Sequence, residues 1–100
     1  MSELDTSNPT LARAQGEAHI RELLETIIKK MVSYPDDIGV EVERGERTTI
    51  FKVQCTQRVI GQIIGSQGKN VQSLRTLALA MTSLLGFRSI VEIPYFDPKK

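Results

Sequence analysis

The residues best suited to chemistry are the four of Gly65-Ser66-Gln67-Gly68, followed directly by Lys69. Glycine has no Cβ atom, so two glycines three positions apart let the backbone approach a ligand closely and present the N–H groups between them. The segment precedes a predicted long helix, whose free N–H groups and positive dipole end favour a phosphate. Lys69 stands in the first turn of that helix, where a cation costs about 0.3–1 kcal/mol. These features predict an anion-binding loop.

Three other glycine motifs do not fit this segment. A P-loop requires glycine at position 63 and Ser or Thr at position 70, but the chain has Ile63 and Asn70 there. A hydrolase nucleophile elbow requires glycine two places before Ser66, where the chain has Ile64. A dinucleotide-binding fingerprint follows a strand, whereas a short apolar helix is predicted here. The loop is therefore not predicted to bind a nucleoside triphosphate or to hold a catalytic serine.

The composition excludes several classes of protein. A chain of 100 residues with 40% apolar and 25% charged residues is typical of one globular domain. Its longest apolar run, at positions 77–81, is far shorter than the ~20 residues of a membrane span, and its acidic start is not typical of a signal peptide. With a single Cys55 and a single His19 it has neither a disulfide framework nor a zinc site. We expect a reduced, cytoplasmic protein with no metal, cofactor or catalytic residue, and not an enzyme.

The charge is distributed unevenly along the chain. The formal net charge is only +1, but positions 47–91 contain no Asp or Glu. Six basic residues lie in that stretch: Arg47, Lys52, Arg58, Lys69, Arg75 and Arg88. Chance placement of the acids and a surface for an anionic polymer explain this equally well, because a pI near 7.9 is not strongly basic.

The hydropathy pattern predicts the order helix–strand–strand–helix–helix–strand. Apolar residues at three- and four-residue spacing after Glu17 predict a first helix that ends before Pro35. The apolar residues with this spacing are Ile20, Leu23, Leu24, Ile27, Ile28, Met31 and Val32. Alternation at 38–42 and 49–55 predicts an antiparallel hairpin. Helices at 57–64 and 69–85 then lead to a third strand at 88–95, and this long crossover makes the second and third strands parallel.

The predicted architecture is therefore an α+β fold, with a three-stranded mixed sheet and all helices on one face. Residues 1–16 have few large apolar groups and are predicted to be a flexible tail, with Asn8-Pro9 as an alternative start of a short helical turn. The domain is predicted to occupy residues 17–96, followed by a short tail at 97–100.

The segment Ile63–Val71 resembles the signature of the KH domain, apolar-Ile-Gly-x-x-Gly-x-x-Ile, with valine in the last position. The element order is that of the type II KH fold. Leu74-Arg75-Thr76-Leu77 and Tyr34-Pro35-Asp36-Asp37 are similar to segments of the bacterial KhpA family of single-KH proteins. The resemblance covers about residues 17–95, nearly the whole chain.

This resemblance implies non-enzymatic binding of single-stranded RNA, as a post-transcriptional regulator or RNA chaperone. The loop would clamp about four nucleotides of backbone, with the bases in a groove between the two flanking helices and the third strand. The residues implied for the phosphate clamp are Gly65, Ser66, Gln67, Gly68 and Lys69. Ile60, Ile63 and Ile64 either contact bases or form helix core, and Arg75 and Arg88 either contact phosphate or are solvated.

Two positions depart from the pattern of the family. Many members carry a base between the two glycines, where this chain has Ser66-Gln67, and this lowers the expected phosphate affinity. Many also carry an acid shortly before Gly61, where this chain has Arg58, and this raises the expected positive field.

The predicted third helix has an uncharged outer face. No charged residue occurs from Thr76 to Phe87, although a helix packed on a sheet normally exposes charge. Leu79 points about 140° from the core face. The residues around it are small: Thr76, Ala80 and Ser83. They predict an interface with a second copy or another KH protein, unless the face is simply neutral with one exposed leucine.

The resemblance implies homodimers and pairing with a Jag-type (KhpB) KH protein. An alternative function is therefore a KH-fold protein-interaction module that acts mainly by dimerisation.

Overall fold

The computed structural model describes residues 9–94, with side chains from Ala12 onward. The elements are α1 (Pro9–Lys29), β1 (Gly39–Arg44), β2 (Thr48–Gln54), α2 (Gln57–Ile64), α3 (Lys69–Leu84) and β3 (Arg88–Glu92), with 3₁₀ turns at Pro35–Asp37 and Ser66–Gly68. The predicted order of elements is confirmed. The ends of the chain at 1–8 and 95–100, which include the predicted 97–100 tail, lie outside the described residues.

The sheet has the order β1-β2-β3, with β1 and β2 antiparallel and β2 and β3 parallel. In β2, Thr49, Phe51 and Val53 are buried and alternate with more exposed residues. Because side chains alternate across a strand, one face of the sheet is covered and the other is open. The helices pack on the covered face, with α1 over β1 and α3 over β3. This confirms the predicted mixed sheet.

The core lies between this face of the sheet and the helices. It contains the predicted apolar residues of each element, among them Leu24, Ile28, Phe51, Val71 and Val91, all at most 1% exposed. Leu23 was predicted on the core face of α1, and this is wrong because it is 44% exposed.

Helix α1 begins at Pro9, eight residues earlier than predicted. The prediction of a flexible tail is therefore wrong for residues 9–16, which form the first turns of α1. A Cβ atom at Gly16 would collide with Cδ1 of Leu85, so here the glycine permits a close approach of α1 to the end of α3.

A buried ionic network fixes the start of α1 to the hairpin. The carboxylate of Glu17, 2% exposed, accepts hydrogen bonds from Arg44 at 2.5 Å, from Arg13 at 3.2 Å and from the hydroxyl of Thr49. Arg13 also donates to the carbonyl oxygens of Glu46 at 2.6 Å and Gly45 at 3.0 Å. Burial raises the pKa of Glu17, but the hydrogen bonds and charges of its partners outweigh it, so the pKa lies below its usual value.

Candidate nucleic-acid interface

The loop between α2 and α3 has an unusual backbone. Gly65 (φ 75°), Gln67 (φ 57°) and Gly68 (φ 76°) all lie in the positive-φ region. Gly65 has ψ 175°, a combination that is essentially restricted to glycine. Gln67 has no such freedom and is held in a conformation that costs about 1–2 kcal/mol. Strain of this kind is characteristic of functional sites, where the surrounding structure imposes it.

The loop is held rigid by its own hydrogen bonds. The N–H of Gly65 donates to the carbonyl of Gly61 at 2.9 Å, and the N–H of Gly68 donates to the carbonyl of Gly65 at 3.1 Å. The N–H of Lys69 donates to the carbonyl of Ser66. Ser66 and Gln67 lie exposed between these contacts, at the start of α3. The loop therefore presents two polar residues, in a fixed backbone, beside the positive end of a 16-residue helix.

Asn70 stabilises the loop by joining the helices at its two ends, a role that was not predicted from the sequence. Its side-chain amide donates to the carbonyl of Gln62 at 3.0 Å, which joins the first turn of α3 to α2. A Cβ atom on Gly65 would lie 2.5 Å from Cγ of Asn70. Gly65 is thus required both for its backbone angles and for the close approach of Asn70.

Polar contacts anchor α2 to the segment that follows α1. Oε1 of Gln62 accepts from the N–H of Ser33 at 2.8 Å, and its amide donates to the hydroxyl of the same serine at 2.9 Å. Thr56 occupies the N-cap position of α2, but its hydroxyl makes no cap hydrogen bond and instead donates to Asp37 at 2.6 Å. The orientation of α2 is therefore determined by contacts distant in sequence.

Arg58 does not add to the positive field, contrary to the sequence analysis. Its guanidinium donates to both carboxylate oxygens of Asp37, at 2.6 and 3.1 Å, and lies over the ring of Tyr34 at 3.7 Å. Hydrogen bonds from Arg58 and Thr56 lower the pKa of Asp37 to about 2. The charge of Arg58 is thus balanced by Asp37, and the ion pair fixes α2 to the segment after α1.

The charge of the acid-free stretch is partly cancelled in the folded chain. Besides Arg58, Lys52 pairs with Glu43 on the neighbouring strand at 3.0 Å. Within residues 12–94, Lys69 forms no ion pair, and it is exposed at the first position of α3. The charge beside the loop is therefore that of Lys69 and the helix end.

The three isoleucines of α2 separate into two roles. Ile63 is fully buried in the core, so the structure gives it the helix-core role that the sequence had left open. Ile60 and Ile64 are partly buried and pack against the core cluster with part of their surface exposed. These two remain able to contact a base.

The two arginines proposed as phosphate contacts, Arg75 and Arg88, lie at different distances from the loop. Arg75 is partly buried in the second turn of α3. Arg88 begins β3, after the end of α3, and α3 with 16 residues is about 24 Å long. The structure therefore places Arg88 at the end of the domain opposite the loop.

The outer face of α3 is exposed, as expected for the predicted interface. Thr76, Ala80 and Ser83 are exposed, and Leu79 is 51% exposed. Leu84 is 89% exposed, but it points about 140° away from Leu79 around α3 and so does not belong to this face.

The described residues offer little support for a membrane span, a metal site or a reactive thiol. No helix there is long and apolar enough to cross a membrane, and no group of three or more His, Cys, Asp or Glu could bind a metal ion. His19 is exposed on α1. Burial raises the pKa of the Cys55 thiol, and the charge of Asp37 adds to this, so the reactive thiolate is disfavoured.

Two helices joined by a braced two-glycine loop, packed on a mixed three-stranded sheet, define a KH domain. The chain belongs to the KhpA/KhpB family of KH domains, whose model matches residues 21–93. This confirms the resemblance seen in the sequence. It also confirms that the chain is not an enzyme, since this family consists of RNA-binding proteins.

Relatives of this family come from several bacteria. The RNA-binding protein KhpA of Clostridium acetobutylicum is 34% identical over 74 residues, which are 74% of this chain and 99% of the relative. KhpA of Borreliella burgdorferi is 35% identical over 72 residues, 72% of this chain and 88% of the relative. KhpA of Chlamydia pneumoniae is 31% identical over 74 residues, 74% of this chain and 95% of the relative.

A solved structure shares the fold. The match is to the crystal structure of Era in complex with MgGDPNP and nucleotides 1506–1542 of 16S ribosomal RNA, with a TM-score of 0.53 and 17% identity. It covers 74% of this chain but only 28% of the Era chain. At this identity the likeness concerns the fold alone.

Proposed function

We propose that this protein binds single-stranded RNA through the loop Gly65–Gly68, which clamps the sugar–phosphate backbone at the start of α3. The observation that carries the proposal is the backbone of the loop, with three positive φ angles at Gly65, Gln67 and Gly68. Relatives with the name RNA-binding protein KhpA cover the same segment and support RNA as the ligand.

The chemistry of the loop suits a phosphate. The residue pair Ser66 and Gln67 is exposed and carries hydroxyl and amide donors, and Lys69 adds a positive charge next to the helix end. An anion at this position offsets the unfavourable placement of Lys69 in the first turn of the helix. Ile60 and Ile64 offer partly exposed apolar surface to a base on the α2 side.

The binding should be weak for an isolated domain. Among the described residues the aromatic side chains are Tyr34, Phe51 and Phe87, and none is available as a stacking platform beside the loop. Phe51 and Phe87 are buried, and although Tyr34 is 47% exposed, one face of its ring is occupied by the guanidinium of Arg58. Since stacking contributes about 1–3 kcal/mol per base, its absence limits affinity. A role as regulator or RNA chaperone in the cytoplasm is consistent with weak contacts to many RNAs.

A salt titration tests the proposal. A labelled, unstructured RNA oligonucleotide and a duplex of the same length are titrated with the protein at several salt concentrations. Contact with two to four phosphates gives a log–log slope of about −1.4 to −2.8 for the single strand, with much weaker binding of the duplex. Equal affinity for duplex RNA, or affinity independent of salt, would contradict the clamp.

A second candidate function is protein pairing through the outer face of α3. The observation that favours it is the exposure of Leu79 on a helix face without charge. Thr76, Ala80 and Ser83 are small enough to let a second helix come close. The partner would be a second copy of this chain or a Jag-type (KhpB) KH protein. The loop lies at the start of α3 and Leu79 lies further along the helix, so pairing can coexist with binding of a short RNA at the loop.

A further inference from the structure

A cavity lies at the end of the domain opposite the loop, where β2 and β3 begin. Its lining includes the side chains of Arg13, Arg47 and Arg88, with Ser83 and Glu46. The backbone explains why the last two arginines meet. The N–H of Arg88 donates to the carbonyl of Arg47 at 3.1 Å, and Thr48 is the parallel-strand partner of Arg88.

The three arginines differ in their availability. Arg13 pairs with Glu17 and donates to the hairpin carbonyls, and its guanidinium lies over the ring of Phe87 at 5.1 Å. Its side chain is therefore fixed in the lining of the cavity. Arg47 and Arg88 are exposed, and neither forms an ion pair within residues 12–94. Glu46 is the single acid among the described lining residues. The cavity therefore carries excess positive charge with two guanidinium groups free to bind an anion.

A shallow groove leads from this cavity along the edge of the sheet. It is lined by Leu79 of α3 and by Arg88, Ser89 and Ile90 of β3. Leu79 and Ile90 are each 51% exposed. Arg88 lines both the cavity and the groove, so the two adjoin at this side chain. Apolar side chains beside guanidinium groups suit a polynucleotide, which offers base faces and phosphates together.

We propose that Arg47 and Arg88 form a second phosphate site for the same RNA strand, which runs from the loop along α3 and β3 to this cavity. The inference rests on the proposed function and lengthens the stretch of RNA that the protein contacts. Because α3 is about 24 Å long, a strand with 3.4 Å between stacked nucleotides needs about seven nucleotides to reach the cavity. The ligand is therefore a longer single strand than the four nucleotides of the loop clamp.

The site has a consequence for protein pairing. Leu79 lies in the groove and also on the outer face of α3, so a long RNA and a partner helix contact the same side chain. Binding of a long strand then weakens pairing through this face, whereas a four-nucleotide RNA leaves it unaffected.

The test compares RNA length with single-residue variants. Oligonucleotides of about four, eight and twelve nucleotides are titrated at several salt concentrations with wild type, Arg47→Ala, Arg88→Ala and the control Lys30→Ala. Lys30 is an exposed base just after α1 and does not line the cavity. Each lost phosphate contact should reduce the salt slope by about 0.7 for a single strand.

We expect the affinity of wild type to rise between four and eight nucleotides, and each arginine variant to lose about 0.7 of slope on the longer oligonucleotides only. Lys30→Ala should match wild type throughout. Affinity independent of length, or equal losses in Lys30→Ala and the arginine variants, would overturn the second site while leaving the loop clamp intact. If wild type binds none of the oligonucleotides, both the clamp and the second site are wrong.

Discussion

The side-chain amide of Asn70 donates a 3.0 Å hydrogen bond to the carbonyl oxygen of Gln62, and so ties the first turn of α3 to α2 across the loop. Asn70 also fills the space beneath Gly65 that a Cβ atom would need. The conformation of the loop is therefore set from two sides. Glycine at 65 permits the backbone angles, and the amide at 70 fixes the helix ends that the loop must join.

Gly65→Ala should destabilise the domain by about 1–3 kcal/mol, because its φ and ψ are essentially glycine-only. The control is Gly61→Ala in α2, where a Cβ atom meets nothing within 4 Å. Alanine there should raise the stability by about 0.5–1 kcal/mol, because it is the better helix former. Urea unfolding of both variants measures the difference. A Gly65→Ala protein as stable as wild type would show that the loop does not require this conformation.

The ionic network at the start of α1 makes the stability depend on pH. Because the folded pKa of Glu17 is lowered, its contribution is present above the unfolded pKa of about 4.3 and is lost as the pH falls through the folded pKa. Glu17→Gln should cost about 1.5–3 kcal/mol at neutral pH, because charged hydrogen bonds to Arg44 and Arg13 are lost.

The corresponding measurement is unfolding at pH 7 and below pH 4. The penalty of Glu17→Gln relative to wild type should shrink as the pH falls through the lowered pKa of the folded Glu17 carboxyl group, because the wild-type side chain then becomes protonated as well. Glu22→Gln is the control, since Glu22 is 69% exposed and 3.9 Å from Arg21, and it should change stability little. A pH-independent penalty for Glu17→Gln would contradict the network.

Pairing through α3 predicts that Leu79→Glu shifts the protein towards monomer. A carboxylate at the centre of the exposed face would be buried without a partner on association, which is unfavourable. Leu23→Glu on α1 is the control, because Leu23 is 44% exposed and lies outside the proposed face. Light scattering across a concentration series reports the oligomeric state. A wild type that stays monomeric at high micromolar concentration would contradict homodimerisation.

The sequence predicted the elements with strong periodicity and the loop between the two glycines. The predictions were wrong where contacts between residues distant in the chain determine the structure or the charge. Residues 9–16 have no apolar repeat, and their packing depends on distant residues: Arg13 donates to the hairpin, and Gly16 lets Leu85 lie close to α1. The neutralisation of Arg58 depends on Asp37, which is 21 residues distant in the chain. Such contacts are not encoded in any local pattern, so charge counted along the sequence overstated the positive surface.

RNA binding by Ser66→Asp with Gln67→Asp tests the central claim most directly. Both side chains are exposed, so each substitution should change stability by only about 0.5 kcal/mol, while two carboxylates occupy the position proposed for phosphate. The control is Ala18→Asp with Thr26→Asp, which adds the same charge at exposed positions of α1. We predict that the loop variant no longer binds a single-stranded oligonucleotide while the control still does. Unchanged affinity in a folded loop variant, or equal loss in both, would contradict the clamp.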